Sequence, residues 1–301
     1  MSGFSAIDLS KLPSPDIVEA LDFEEILGAM KADLIGRDST LAPALSLESE
    51  PLTKLLEVCA YRELILRQRI NDASRAVMLA YARGGDLDHL AALFGVARLV
   101  IDPGEPEARP PVPATHEDDE RLRRRVQLSL EGHSTAGPRG SYVYWGLSAS
   151  PEVKDIDVQS PTAGDVVVTV LGAEGNGLAD AALLARVDAT LNHADVRPLT
   201  DRVTVQAAEI LEYELRATLV LYDGPDGEVV RAAAEKAARE YVASHHLLGH
   251  DITPSGLYAA LHQPGVQRVT LALPAEGVTV ASHQAAYCTS VIVELAEVRD
   301  V

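Results

Sequence analysis

Residues 141–161, SYVYWGLSASPEVKDIDVQSP, and residues 255–274, SGLYAALHQPGVQRVTLALP, pass through the same order of events. Each starts with helical spacing, meets a proline with a valine two residues later, and then alternates apolar and polar residues up to a second proline. Setting Pro151 on Pro264 pairs Val153 with Val266, Ile156 with Val269, Val158 with Leu271 and Pro161 with Pro274. A proline turns the preceding residue away from helical angles, and a period of two buries one face of a strand. Two related α+β units are therefore expected, each with a small mixed sheet that hides one face under helices. Working outward, further strands are expected at 166–171, 203–205, 215–221 and 290–295, and helices at 178–191, 229–242 and 257–261. Asp223-Gly224-Pro225-Asp226-Gly227 marks a turn before the second of these helices.

Upstream the pattern is helical. Ile17, Leu21, Ile26, Met30 and Leu34 recur near helical spacing, and Ser14-Pro15-Asp16 suits a helix start, which predicts a helix over 15–35. From 51 to 83 neither Pro nor Gly interrupts, and a seven-residue register aligns Leu52, Leu56, Cys59, Glu63, Leu66, Ile70, Ala73, Val77 and Ala80. Such a helix is about 50 Å long at 1.5 Å per residue, so its seam either folds back on its own domain or reaches a second chain. Leu56, Leu66, Ile70 and Val77 are the candidate self-association residues. Gly84-Gly85 ends the helix, and Asp86 caps a short one over 87–94. IDPGEPEARPPVPATH, 101–116, holds five prolines without apolar periodicity and is expected to form an extended linker or arm. Acids followed by arginines favour a helix over 117–131, with Arg121, Arg123, Arg124 and Arg125 on a solvated or partner-facing surface. The expected organisation is a helical region over 1–100, the Pro-rich segment over 101–116, and α+β units over 117–208 and 209–301. The fold class is multidomain α+β.

A chain of 301 residues exceeds the usual size of one core, and only 4% aromatic content leaves Leu, Val, Ile and Ala to fill it. With 26 basic against 45 acidic residues and a formal charge of -19, general affinity for phosphate backbones is not expected, so no nucleic-acid partner is predicted. Cys59 and Cys288 are too few for a disulfide framework and have no CxxC spacing, which fits a reducing compartment. The amino-terminal residues lack the pattern of a signal peptide, and no long uncharged apolar run follows, so neither export by that route nor a membrane-spanning segment is expected.

Three stretches invite a chemical interpretation. GHSTAG, 132–137, approaches the nucleophile elbow G-x-S-x-G around Ser134, but its fifth position is Ala136 and an Arg-rich helix, not a strand, precedes it. A helix-ending Gly132 and a Gly137-Pro138 turn explain it better. GAEGNG, 172–177, lies between strand and helix, yet its order is G-x-x-G-x-G, which misplaces the glycines needed for a pyrophosphate. It is expected to be a polar turn, and no cofactor is predicted. SHHLLGHD brings His245, His246, His250 and Asp251 together in sequence without the H-E-x-x-H spacing of a zinc helix, and Gly249 ends that helix beside them. The alternatives to a structural role are therefore a serine hydrolase using Ser134 and a metal-binding module using His245, His246 and His250. No catalytic or metal residue is nominated.

Four segments in order resemble the baseplate J-like family of contractile tails. They are PLTKLLEVCAYRELILRQRINDASRAVMLAYARGGDLDHLAAL at 51–93, ERLRRRVQLSLEGHSTAGPRGSY at 120–142, VKDIDVQSPTAGDVVVTVL at 153–171 and VRPLTDRVTV at 196–205. The resemblance implies a structural wedge subunit of a contractile phage tail or related injection particle. It implies joining to copies of itself, as a dimer within the wedge ring, and to other wedge proteins around the hub or spike, beneath sheath and tube. It implies a place in the virion tail baseplate, with assembly in the host cytoplasm, and neither a catalytic centre nor a cofactor.

Overall fold

The computed structural model describes residues 7–13, 15, 17, 19–134, 136–222 and 226–296. The chain divides into two compact units. Of the described residues, one takes in those from Ile7 to Ala97 together with Asp118–Arg123; the other takes in Arg98–Glu117 and those from Arg124 to Ala296.

The smaller unit is helical: α1 (Phe23–Arg37), α2 (Ala42–Leu45), α3 (Pro51–Ala76), α4 (Gly84–Ala92) and the first turn of α5 (Asp119–Gly132). The first helix begins at Phe23, not near Pro15. Asp22 caps it by accepting from the N–H groups of Glu24 and Glu25. Before that point the backbone has another partner, because buried Asn71 accepts from Glu19 N–H at 3.1 Å and donates to Glu19 C=O at 2.9 Å. This ladder-like pairing replaces the helical bonds expected there. Ser14 and Asp16 lie outside the described residues. The long helix stops at Ala76, short of the expected 83, because Arg123 takes the carbonyl oxygens of Leu79 and Ala82 at 2.7 and 2.8 Å. Gly84 and Gly85 then open α4 instead of separating it from its predecessor. A cluster of Ile26, Leu27 and Ala60, with Phe23, Met30, Leu56 and Leu64 against it, joins α1 to α3.

In the larger unit the Pro-rich stretch doubles back on itself, contrary to the extended form expected. β1 (Val100–Asp102) pairs antiparallel with β2 (Thr115–His116), and Glu105 bridges Val112 farther out. Prolines lack the N–H that a ladder needs, so only a few rungs form. Gly104 has φ +67°, and a Cβ there would lie 2.4 Å from the Val112 carbonyl oxygen, so the turn requires glycine. The base is tied by Glu117. Its side chain is wholly buried and accepts from Arg125 at 2.5 Å and from Leu99 N–H at 3.0 Å, while its carbonyl accepts from Arg98 at 2.7 Å. Arg123 and Arg125 are thus buried, not part of the solvated surface that the arginine run predicted. Each has carbonyl or carboxylate acceptors, and such acceptors are what allow a guanidinium to leave water.

After α6 (Arg139–Ala149) come β3 (Val153–Gln159), β4 (Asp165–Gly172), α7 (Ala181–Leu191) and β5 (Arg202–Ala207), then β6 (Glu209–Leu221), α8 (Gly227–His245), α9 (Pro254–Leu261), β7 (Val266–Leu273) and β8 (Gln284–Leu295). Two three-stranded mixed sheets result, β3-β4-β5 and β7-β6-β8. In each, the middle strand pairs antiparallel on one side and parallel on the other. The chain visits these positions in a different order. In the first sheet the helix-proline-strand segment α6-β3 precedes the middle strand; in the second, α9-β7 follows it. Val153 and Val266, paired by the sequence comparison, are both buried. Of the turn before α8, residues 223–225 lie outside the described residues; Asp226 caps the helix by accepting from Glu228 N–H. The second core gathers Leu215, Ala217 and Leu219 of β6 with Ala234, Ala238, Leu257, Leu261 and Val266. Burying each large aliphatic side chain contributes about 1.5–3 kcal/mol.

Candidate functional site

The 26-residue helix α3 buries only Thr53, Ala60 and Asn71. These recur with partly buried Leu56, Leu64 and Arg67 on the face turned to α1 and Glu19. The other side carries Leu55, Val58, Ile65, Leu66, Ile70 and, at the C-cap, Val77. Leu66, Ile70 and Val77 are 60%, 57% and 70% exposed. At 100° per residue they align with Cys59 and Ala73, both exposed, while Arg62 and Arg69 run along one flank. Leu56 does not belong to this stripe, since it packs on the Ile26, Leu27 and Ala60 cluster. Glu63, expected in the seam, is instead bonded to Arg67 at 2.6 Å. Leu55, Val58 and Ile65 were missed by the seven-residue register, which follows one narrow line around a face that is wider.

A second assembly of residues lies where α6 begins. A Cβ on Gly137, whose φ is +65°, would fall 2.5 Å from the Pro198 ring. The Tyr142 hydroxyl donates to Asp201 at 2.6 Å, and Arg139 pairs with Asp157. Burial and the Asp201 carboxylate together push the Tyr142 phenol well above its usual range, so it stays a donor. The GPRGSY and RPLTD stretches therefore lock one another, which gives the glycine and proline a packing reason.

Ser134 lies between α5 and α6, and its N–H donates to the Glu131 carbonyl at 3.1 Å. Among the described residues no histidine is bonded to its hydroxyl, and no strand leads into it. In the glycine loop, Gly172 N–H donates to Gly177 C=O at 2.7 Å, closing the turn, and Asp180 caps α7 through Leu183 N–H. The three histidines do not converge. His245 stacks on Tyr241 at 4.0 Å, His250 lies edge-on at 6.2 Å, and His246 turns inward to the Ala286 carbonyl at 2.8 Å. Among the described residues no group of three or more His, Cys, Asp or Glu is disposed to hold a metal. A surface cavity of about 540 Å³ on the helical unit mixes both charges, with Arg75 beside Asp72 and Arg123 on Glu120. Among the described residues no helix is long and apolar enough to cross a membrane.

The helical unit thus leaves one apolar face of α3 open, and the glycine turns of the larger unit are closed by their own hydrogen bonds. Models of the Baseplate J-like N-terminal, central and C-terminal domains match residues 48–105, 134–207 and 213–294. The chain belongs to the Baseplate J-like family. It is similar to baseplate protein J of Escherichia phage P2, with 52% identity over 288 residues, 94% of this chain and 95% of that protein. It also matches a chain of the anti-feeding prophage baseplate, solved by cryo-EM, with TM-score 0.42 and 17% identity. That match covers 59% of this chain and 44% of the other, so the chain spans less than half of that baseplate component.

Proposed function

We propose that this chain is a structural subunit of the baseplate wedge of a contractile phage tail or related injection particle, without catalytic turnover. Membership of the Baseplate J-like family supports the structural role. The observation that carries the mode of action is the apolar stripe of α3, which the chain's own core leaves open. Copies of the chain join through Leu66, Ile70 and Val77, with Leu56 holding the helix to its own unit from the other side. Apolar side chains left at more than half exposure over several turns are stabilised when a second surface removes them from water. The two α+β sheets and their helices contact neighbouring wedge, hub, sheath or tube proteins. The protein resides in the tail baseplate and is assembled in the host cytoplasm.

The test is Leu66→Lys with Ile70→Lys. Mass in solution and incorporation into baseplates are measured alongside the circular dichroism of the variant. A folded variant that stays monomeric and is left out of particles is expected; one that is folded and assembles normally rules the stripe out. Ser134→Ala is expected to assemble as the parent does.

A further inference from the structure

Between the two sheets of the larger unit the chain passes through residues 246–250, and here the halves are stitched together. Leu248 bridges Ala285 of β8, its N–H donates to Asp155 of β3 at 3.1 Å, and its side chain shares a small cluster with Leu171, Ala208 and Ala285. Gly249 N–H donates to Gln284 C=O at 3.0 Å. At the start of this segment stands His246, 7% exposed. Its Nδ1 lies 2.8 Å from the Ala286 carbonyl oxygen, which can only accept, so Nδ1 carries the proton and Nε2 is bare. Nε2 is buried and has no hydrogen-bond partner among the described residues. It faces Gly177 in the β4–α7 turn, where an added Cβ would sit 2.8 Å away.

We propose that His246 is the latch of a pH-sensitive clasp: a second proton on its ring opens the junction between the two α+β halves. This goes beyond the assembly role and does not depend on the α3 stripe. The groups around the ring all oppose a second charge or are already engaged. From β3, the Lys154 ammonium adds like charge. The Asp155 carboxylate beside it is occupied by Leu248 N–H and by the Arg124 guanidinium at 2.7 Å. From β8 come the Tyr287 ring, edge-on at 5.4 Å, and the Ala286 carbonyl already used by Nδ1. From its own segment, His245 is turned to Tyr241. Burial, first, and Lys154 hold the His246 pKa below its ordinary range, with the Ala286 bond acting the other way. The sign follows. The closed junction prefers neutral His246, so its stability is complete above the ordinary histidine pKa and falls as pH drops from there toward the lowered value.

Hydrogen exchange of the full chain at pH 7.5 and 5.5, corrected for intrinsic rates, reads the clasp directly. Protection of Leu248 and Gly249 amides is expected to fall by up to about tenfold at pH 5.5, the limit set by an opened-state pKa near 6.5. Amides of α3 report on the other unit and are expected to hold. His246→Asn retains a donor near the Nδ1 position and has nothing to titrate, so its protection is expected to be equal at both pH values. Equal protection in the parent, or an unchanged pH response in the variant, overturns the proposal. Should the variant not fold, nitrogen NMR of the parent decides: Nε2 protonation in step with lost protection upholds the clasp, and protonation without that loss overturns it.

Discussion

On β6, Leu215, Ala217 and Leu219 are fully withdrawn from solvent between the strands β7 and β8 and the helices laid over them, whereas Leu66, Ile70 and Val77 along α3 keep more than half of their surface in water. Both segments are rich in aliphatic residues. What separates them is the supply of partners within one chain: β6 is hydrogen-bonded on both sides and covered, while α1 and α2 pack on α3 and leave Leu66, Ile70 and Val77 exposed. A sheet that closes its own core can stand as a fixed body. A 26-residue helix with an uncovered stripe has no such closure, and the connector role proposed for it rests on the apolar surface it leaves in water. The Glu117–Arg125 pair sits at a third extreme, buried completely yet charged, and it holds the Pro-rich hairpin by its base.

The comparison can be broken most severely at that pair. Glu117→Ala leaves Arg125 buried without its carboxylate and is expected to lower stability by about 3–5 kcal/mol, read as a drop in urea midpoint. Leu215→Ala opens a cavity in the closed core, for an expected loss of about 3 kcal/mol by the same measurement. Asn71→Ala removes both bonds to the Glu19 backbone and is expected to cost about 1–3 kcal/mol, with early loss of protection at Glu19 N–H in hydrogen exchange. Leu66→Lys is expected to change the stability of the isolated chain by no more than about 0.5 kcal/mol, since the side chain is already exposed. If Leu66→Lys destabilises the lone chain as Leu215→Ala does, the contrast between closed core and open stripe collapses.

The same contrast marks how much could be seen in advance. Strand β7 over 266–273 and the α+β character followed from periodicity alone, because burying one face of a strand writes a two-residue pattern into it. Strands β6 and β8 are longer than their apolar alternation indicated: Glu209–Leu221 includes Glu212, Glu214 and Arg216 facing outward, and polar residues on a solvated face give no signal of where a strand begins. The arginines of α5 looked like a surface run because sequence spacing carries no information about Glu117 and the carbonyls of Leu79 and Ala82, which remove two of them from water. The α3 stripe was legible in part. The heptad register found Leu66, Ile70 and Val77 but drew in Leu56, since adjacent helical faces share apolar residues and only the position of α1 tells them apart.

By itself the sequence determined the local matters: the helical or strand character of the segments outside the Pro-rich stretch, though not the ends of α1 and α3, the proline that ends α6 and precedes β3, and the acidic balance that disfavours a nucleic-acid partner. Each depends on residues a few positions apart, whose sterics and periodicity act without the rest of the chain. The tertiary structure alone decided the order of strands in the two sheets, the Asn71 pairing that shortens α1, the burial of Arg123 and Arg125, and the inward turn of His246. These depend on groups far apart in sequence, where the cost of leaving a polar group or charge unmatched is set only when the partners meet in space.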